Sequence, residues 1–509
     1  MKADNELYRA LRGKPCARLW AEDVAAFDRL VEPERTRHVA VVRAVGVAFA
    51  DRATPEEKAM AVAWLNGLLA DPSEKIRRYA MAALPKLGDD PGAEARLLGI
   101  LKSPAGERER QRATEALEKI GADATLKAAL SDPSAVPVDP DRVAARAARL
   151  SAPGGIRLDR RLERPAGVRI HLRCRKGLER ILSDEVRALA PGLLSVRSVS
   201  SGLVAVEPTA AFSLGDLHRL RCFAQLAFSL GDVRARDEEE AAGQIAQRIA
   251  SSRSRDLLAA FTDGAFRYRI DLAPDLGGEA LVRRVASDVR RYDPAILNDA
   301  REAPWSVDIL PAPGGASVEL RPRLSPDPRL AYRLGEVPAG SHPPLAAAMA
   351  RLAGPYAGEV AWDPFCGSGL ELVERALLGG VARVVGTDLS AEAVEIARRN
   401  FEAAAVPGVR GSFVQADFRD FTKIPELGAG TVSLVITNPP MGRRIPIADM
   451  RGLIVNLFNA AARALRPGGR LVFPNPLRLE APERSLRLVS RNAVDLGGFD
   501  CQLELWVKD

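Results

Sequence analysis

Cysteine and histidine are scarce in this 509-residue chain. The five cysteines, at 16, 174, 222, 366 and 501, form no C-x-x-C pair, and the four histidines, at 38, 171, 218 and 342, are equally scattered. That spacing argues against a disulfide framework and supplies no ligand set for zinc, so no metal is expected. Long hydrophobic runs are missing as well. No stretch offers the ~20 consecutive apolar residues of a membrane span. The opening MKADNELYRALRGKPC lacks the apolar core of a secretory signal, which predicts a cytoplasmic protein with no membrane partner.

What remains is ordinary globular material, 47% hydrophobic and 27% charged. The length exceeds one compact domain and predicts roughly two to four. The net charge of +7 is unevenly placed: residues 141–180 carry twelve Arg or Lys against four Asp or Glu, leaving the rest near −1. A local basic stretch beside a domain start suits a polyanion such as nucleic acid, although a solvated linker would look the same.

Residues 1–135 read as helical and repetitive. IRRYAMAALPKLG at 76–88 recurs 33 residues later as ERQRATEALEKIG, aligning Arg77, Ala80 and Gly88 with Arg110, Ala113 and Gly121. An L-x-[DS]-P-[SA] turn starts at Leu69, Leu101 and Leu130. Alanines at helical spacing let stacked helices approach closely, and the pattern resembles HEAT-type repeats. Such a stack implies a groove for a protein partner, or a scaffold for the next domain. Residues 136–166, rich in Pro, Arg and Ala, read as a basic linker.

From 167 the pattern changes to short strands and amphipathic helices. Strands are expected at 169–174, 201–208, 223–233, 265–273, 306–311 and 317–323, and helices at 177–190, 241–250 and 278–291. The run RKGLERILSDEV, the strand FRYRIDL with its basic helix, and the exit LAYRLGEVPAGSHPPLAAAMARLAG resemble the ferredoxin-like segment and THUMP domain of RNA-modifying enzymes. The resemblance covers 167–335 and implies contact with structured RNA through phosphates. Arg173, Arg175, Lys176, Arg283 and Arg284 are its candidate RNA contacts.

The strongest pattern lies in 345–509. EVAWDPFCGSGLELVERALLGG begins as an apolar strand, turns through DPFCGSG and continues as a helix. Gly367 and Gly369 let the backbone pass beside a ligand, and the helix N-terminus points at it. This resembles the first motif of S-adenosylmethionine-dependent methyltransferases, which implies that Asp363 faces the methionine end of the cofactor beside Phe365. The strand ARVVGTDLS ends in Asp388, 19 residues after Gly369, where a carboxylate accepts from ribose hydroxyls; NAD-binding folds share that feature. Asp417, ending the next strand, implies an acceptor for the adenine amine, with Phe418 against the ring. Helix capping at Asp363 and a turn at Asp417 are the plainer alternatives.

The fourth strand, TVSLVITNPPMG, separates the classes. Asn438–Pro439–Pro440–Met441 matches the [DNS]-P-P-[YFW] motif of enzymes that methylate planar amines, except that Met441 stands where an aromatic residue is usual. A conjugated amine is a poor nucleophile, and the Asn438 side-chain oxygen and Pro439 carbonyl can hold its two hydrogens while the lone pair meets the methyl carbon. Methionine offers a ring less stacking area than an aromatic. Arg443 and Arg444 follow, as phosphate contacts or as plain surface arginines.

The expected architecture is therefore multidomain: α-helical HEAT-like repeats, an α+β THUMP-like region, then an α/β Rossmann-like class I methyltransferase domain with seven strands, one of them antiparallel. The resemblance implies methylation of guanosine N2 in structured RNA, tRNA ahead of large-subunit rRNA. Adenine N6, a protein glutamine amide, and a repeat scaffold with an inactive enzyme domain are the other readings.

Overall fold

The computed structural model describes residues 2–88, 90–338, 340–442 and 447–509. Its residues group into two units, one of Met1–Gly155, Asp263–Ile270 and Gly278–Ala303, the other of Ile156–Thr262, Asp271–Gly277 and Pro304–Asp509.

The first unit is a helical stack. Ala40–Arg52, Pro55–Leu68, Glu74–Ala83, Pro91–Lys102, Glu107–Ile120 and Asp123–Ser131 follow one another with short turns. The turns at Leu69, Leu101 and Leu130 fall just at or after helix ends. Val45, Phe49, Ile76, Ala80, Ala113 and Leu117 are buried in one shared core. Small residues set the spacing: a Cβ on Gly46 would sit 2.6 Å from that of Ala83, so these helices meet backbone to backbone. Arg77 Nε donates to Glu109 Oε1 at 2.5 Å, linking the two units of the sequence repeat.

Two expectations change here. Residues 136–166 are not an unstructured linker, because Pro140–Ser151 is a helix. Asp139 caps it by accepting from Asp141 N and Arg142 N, and Val143, Ala144 and Ala147 are buried. Proline at the first helical position starts that helix and does not break it. Helix Glu279–Tyr292, expected in the middle region, belongs with the N-terminal helices: Arg290 pairs with Asp141 at 2.6 Å.

In the second unit, six antiparallel strands run in the order Trp305–Ala312, Gly315–Pro322, Gln225–Val233, Ile170–Arg173, Leu203–Pro208 and Leu194–Ser200. The apolar positions of these strands alternate, as at Ile170 and Leu172, both buried. Phe212, Phe228, Phe261 and Trp305 form an aromatic core with ring centroids 5.6–6.3 Å apart. Phe261 closes helix Ser252–Phe261, an element the sequence pattern did not suggest.

The C-terminal part of this unit is a seven-stranded sheet. Its strands are β1 (Glu359–Asp363), β2 (Val381–Asp388), β3 (Arg410–Gln415), β4 (Val432–Ile436), β5 (Leu465–Asn475), β6 (Leu486–Asp495) and β7 (Asp500–Lys508). Their order is β3-β2-β1-β4-β5-β7-β6, parallel except for β7. Trp362, Val385, Val435 and Phe473 pack with Leu457 and Phe458 of helix Met450–Ala464. The RPGG segment at 466–469 lies within β5, the helix having ended at Ala464.

Buried ion pairs fasten the middle strands to this sheet. Glu374, on helix Leu370–Leu377, accepts from Arg221 at 2.6 and 2.8 Å and from Tyr332 Oη at 2.6 Å. Arg351, on helix Pro343–Leu352, donates to Glu185 at 2.8 Å. A third tie is backbone: Asp495 N donates to Lys176 O at 3.0 Å, and a Cβ on Gly177, whose φ is +94°, would lie 1.8 Å from Ala493 O. Gly177→Ala is therefore expected to cost about 2 kcal/mol or more of stability, read as a lower midpoint in chemical unfolding. An unchanged midpoint would show that the turn yields.

Candidate active site

The C-terminal ends of β1, β2 and β4 open onto a cavity of about 1360 Å³. Open parallel sheets place ligands there, because the loops leaving the strands diverge. Phe365, Gly367 and Asp388 line it from the first two turns, Asp417 and Phe418 from the third, and Asn438, Pro439, Pro440 and Met441 from the fourth.

Gly367 and Gly369 both adopt positive φ, +49° and +79°, so the turn needs glycine twice. At Gly369 the reason is doubled, since a Cβ would lie 3.1 Å from that of Ala397. Asp388 accepts from Gly367 N and Ser390 N, each at 3.0 Å, and so ties the first turn to the second strand. The ring centroids of Phe365 and Phe418 are 4.7 Å apart, forming an apolar wall.

Asp363 does not face the open cavity. It is fully buried, with Oδ1 accepting from Phe365 N at 3.0 Å and Thr437 Oγ1 at 2.5 Å, while Oδ2 is shut from solvent and has no partner among the described residues. Burial, with Glu371 beside it, pushes its carboxyl well above the usual range. Burial likewise raises Glu371, which does line the cavity. The Cys366 thiol is pushed up by burial and by these carboxyls, so it is no nucleophile.

Asp417 is engaged by its neighbour: Arg419 Nε donates to both carboxylate oxygens at 2.9 and 3.0 Å and holds the acid below its usual range. Arg419 is exposed, so Asp417 receives another donor only when that side chain swings away.

The basic residues scatter. Arg175 reaches the cavity, where its Nε donates to His342 Nδ1 at 3.4 Å. Arg173 is paired with Glu319, which also accepts from His171 at 2.6 Å. Lys176 is exposed, Arg283 and Arg284 lie on the exposed side of a helix in the other unit, and Arg284 is 3.6 Å from Asp288. Arg443 and Arg444 lie outside the described residues. Sequence reasoning missed Ser341, Glu371, His342 and Phe499, which also line the cavity.

A glycine-rich first turn, an acid closing the second strand and a single antiparallel strand define an α/β methyltransferase-type domain. Residues 331–483 match the family described as RMKL-like, methyltransferase domain. The chain is similar to the tRNA (guanine(10)-N2)-dimethyltransferase of Methanothermobacter thermautotrophicus, 31% identical over 145 residues, covering 28% of this chain and 40% of that protein. It is also similar to the tRNA (guanine(6)-N2)-methyltransferase of Thermus thermophilus, 29% identical over 314 residues, covering 58% and 85%. In fold it resembles the crystal structure of TrmN from Thermus thermophilus, with a TM-score of 0.53 and 22% identity over 67% of this chain and all of that one. The chain thus spans less than half of the archaeal relative.

S-adenosylmethionine is the cofactor of such a domain. The residues present fit it: a cationic sulfonium and ammonium suit a cavity with Glu371 and Asp388 in its wall and the unpartnered Asp363 oxygen behind. Among the described residues no group of three acids, histidines or cysteines is placed to hold a metal, and no helix is long and apolar enough to cross a membrane.

His342 gives a pH signature. Burial, then Arg175, Arg329 and Arg333, lower it to about 4 from 6.5. The folded protein holds the ring neutral, whereas the unfolded chain takes up the proton as pH falls. This contribution to stability is complete above pH 6.5 and is lost as pH drops towards 4. Replacing His342 with Gln should flatten that part of the melting temperature profile; parallel wild-type and variant profiles would show that His342 titrates normally.

Proposed function

We propose that this protein methylates the exocyclic N2 amine of guanosine in structured RNA, with tRNA the first candidate and large-subunit rRNA the second. The observation that carries the reading is Asn438: it lines the cavity, and its buried Oδ1 has no hydrogen-bond partner among the described residues. A buried acceptor without a donor is costly, by about 1–3 kcal/mol, so the site is built to receive an N–H.

S-adenosylmethionine supplies the methyl group on a sulfonium. The protein's part is to hold the amine. Asn438 Oδ1 and the Pro439 carbonyl each accept one of its hydrogens, which favours pyramidal nitrogen and aims the lone pair. Two prolines hold this acceptor pair rigid. No side-chain base is needed, because the proton of the methylated amine is acidic enough to leave to water. Phe499, at the turn between β6 and β7, lines the same cavity and offers the stacking face that Met441 lacks.

The choice of RNA is supported by the tRNA substrates that give the two relatives their names and by the basic residues near the cavity, Arg175 foremost. In this reading 167–335 contains a THUMP-like RNA-holding region and 1–135 a HEAT-like repeat stack with room for a protein partner. Close helix approach at Gly46 and the Arg77–Glu109 link support the repeat reading.

The test incubates the full chain with methyl-labelled S-adenosylmethionine and separate pools of unmodified tRNA, rRNA, DNA and protein, then identifies the labelled product. N2-methylguanosine is expected. Asn438→Ala should slow transfer at least about 100-fold with cofactor binding retained. Label only in N6-methyladenosine or in protein glutamine would overturn the guanosine reading.

A further inference from the structure

Behind Asn438 lies a chain of two more side chains, neither part of the NPP motif. Asn438 Nδ2 donates to Ser341 Oγ at 2.8 Å, and Ser341 Oγ donates in turn to Glu371 Oε1. Ser341 lies two residues before helix Pro343–Leu352, and Glu371 is in the first turn of helix Leu370–Leu377, 3% exposed. All three line the cavity.

The direction of this chain is fixed by what each group can donate. In the ionised form that a bound cationic cofactor favours, Glu371 only accepts, and the single Ser341 proton is then committed to it. The Ser341 oxygen then has only lone pairs to offer, and the Asn438 amide must turn its NH2 towards it. That leaves Oδ1 on the far side, where no group among the described residues meets it. A flipped amide would set oxygen against oxygen and present NH2 to the substrate, the wrong polarity for an incoming amine. Without Ser341 the two ends of the amide are nearly alike in shape, and nothing nearby among the described residues selects between them.

We infer that Ser341 and Glu371 are positioning residues that fix the polarity of the Asn438 amide, so that the site accepts an N–H donor at the transfer position and rejects a bare ring nitrogen or carbonyl. The inference rests on the amine-methylating reading above. It assigns a task to two residues from separate segments, and it makes amine selectivity a property of the three-residue chain.

The test compares Ser341→Ala, Ser341→Cys and Ser341→Thr in the full chain, using methyl-labelled S-adenosylmethionine and the unmodified RNA pool that wild type labels. Alanine removes the acceptor. Cysteine nearly keeps the volume, but its sulfur accepts weakly. Both should lower kcat, about 100-fold for a misaligned reacting group, with little change in KM for RNA or in the affinity for S-adenosylmethionine. Threonine keeps the hydroxyl and should restore most of the rate. If Asn438→Ala is inactive but the alanine and cysteine variants turn over like wild type, the positioning role is wrong and the amine reading stands. If Ser341→Cys loses cofactor affinity in step with rate, Ser341 serves the cofactor and the inference also fails. If Asn438→Ala itself stays active, the amine reading fails first.

Discussion

One unpaired oxygen organises the catalytic end of this molecule. Protein interiors rarely leave an acceptor without a donor, yet Asn438 Oδ1 has none among the described residues, beside a cavity whose wall carries Glu371, Asp388 and Asp417. β4 delivers Asn438 beside β1, the prolines stiffen its loop, and Ser341 occupies the other end of its amide. The acids behind the cavity bear a related cost: Asp363 and Glu371 are buried near each other, a crowding that a cation relieves.

The second unit shows why a catalytic sheet and a strand-rich companion form one body. Glu374 and Glu185 are almost inaccessible, and each is met by an arginine from the other part. Burying charge is tolerable only when the partner is present, and removal of one partner from such a pair costs about 3–5 kcal/mol. Asp495 and Lys176 add a backbone link at the far side of the cavity, which carries Arg175 into its wall. The order of the sheet alone would not have predicted any of these contacts.

Legibility in the sequence followed distance along the chain. The turns after β1, β2 and β4 were readable because strand, turn and ligand-facing residue are consecutive, as in DPFCGSG and TNPPMG. The partner of Asn438 was not, since Ser341 lies 97 residues away and becomes its neighbour only through the fold. Asp363 was placed at the right strand end, but its turn inward depends on Thr437, 74 residues distant. Composition misled at Pro140–Ser151, where Pro and Arg suggested a linker. The same residues, Asp139 as cap and alanines every few positions, make a buried helix. The grouping of Glu279–Tyr292 with the N-terminal helices shows in the Arg290–Asp141 pair, a contact with no local signature.

Helix Leu370–Leu377 is only eight residues long, and it presents carboxylates in two directions. Glu371 meets Ser341 at the cavity, while Glu374, one turn on, grips Arg221 of the middle strands. One turn of helix thus carries both the contact behind the Asn438 amide and the anchor to the middle strands, so a break in that turn would remove the two together.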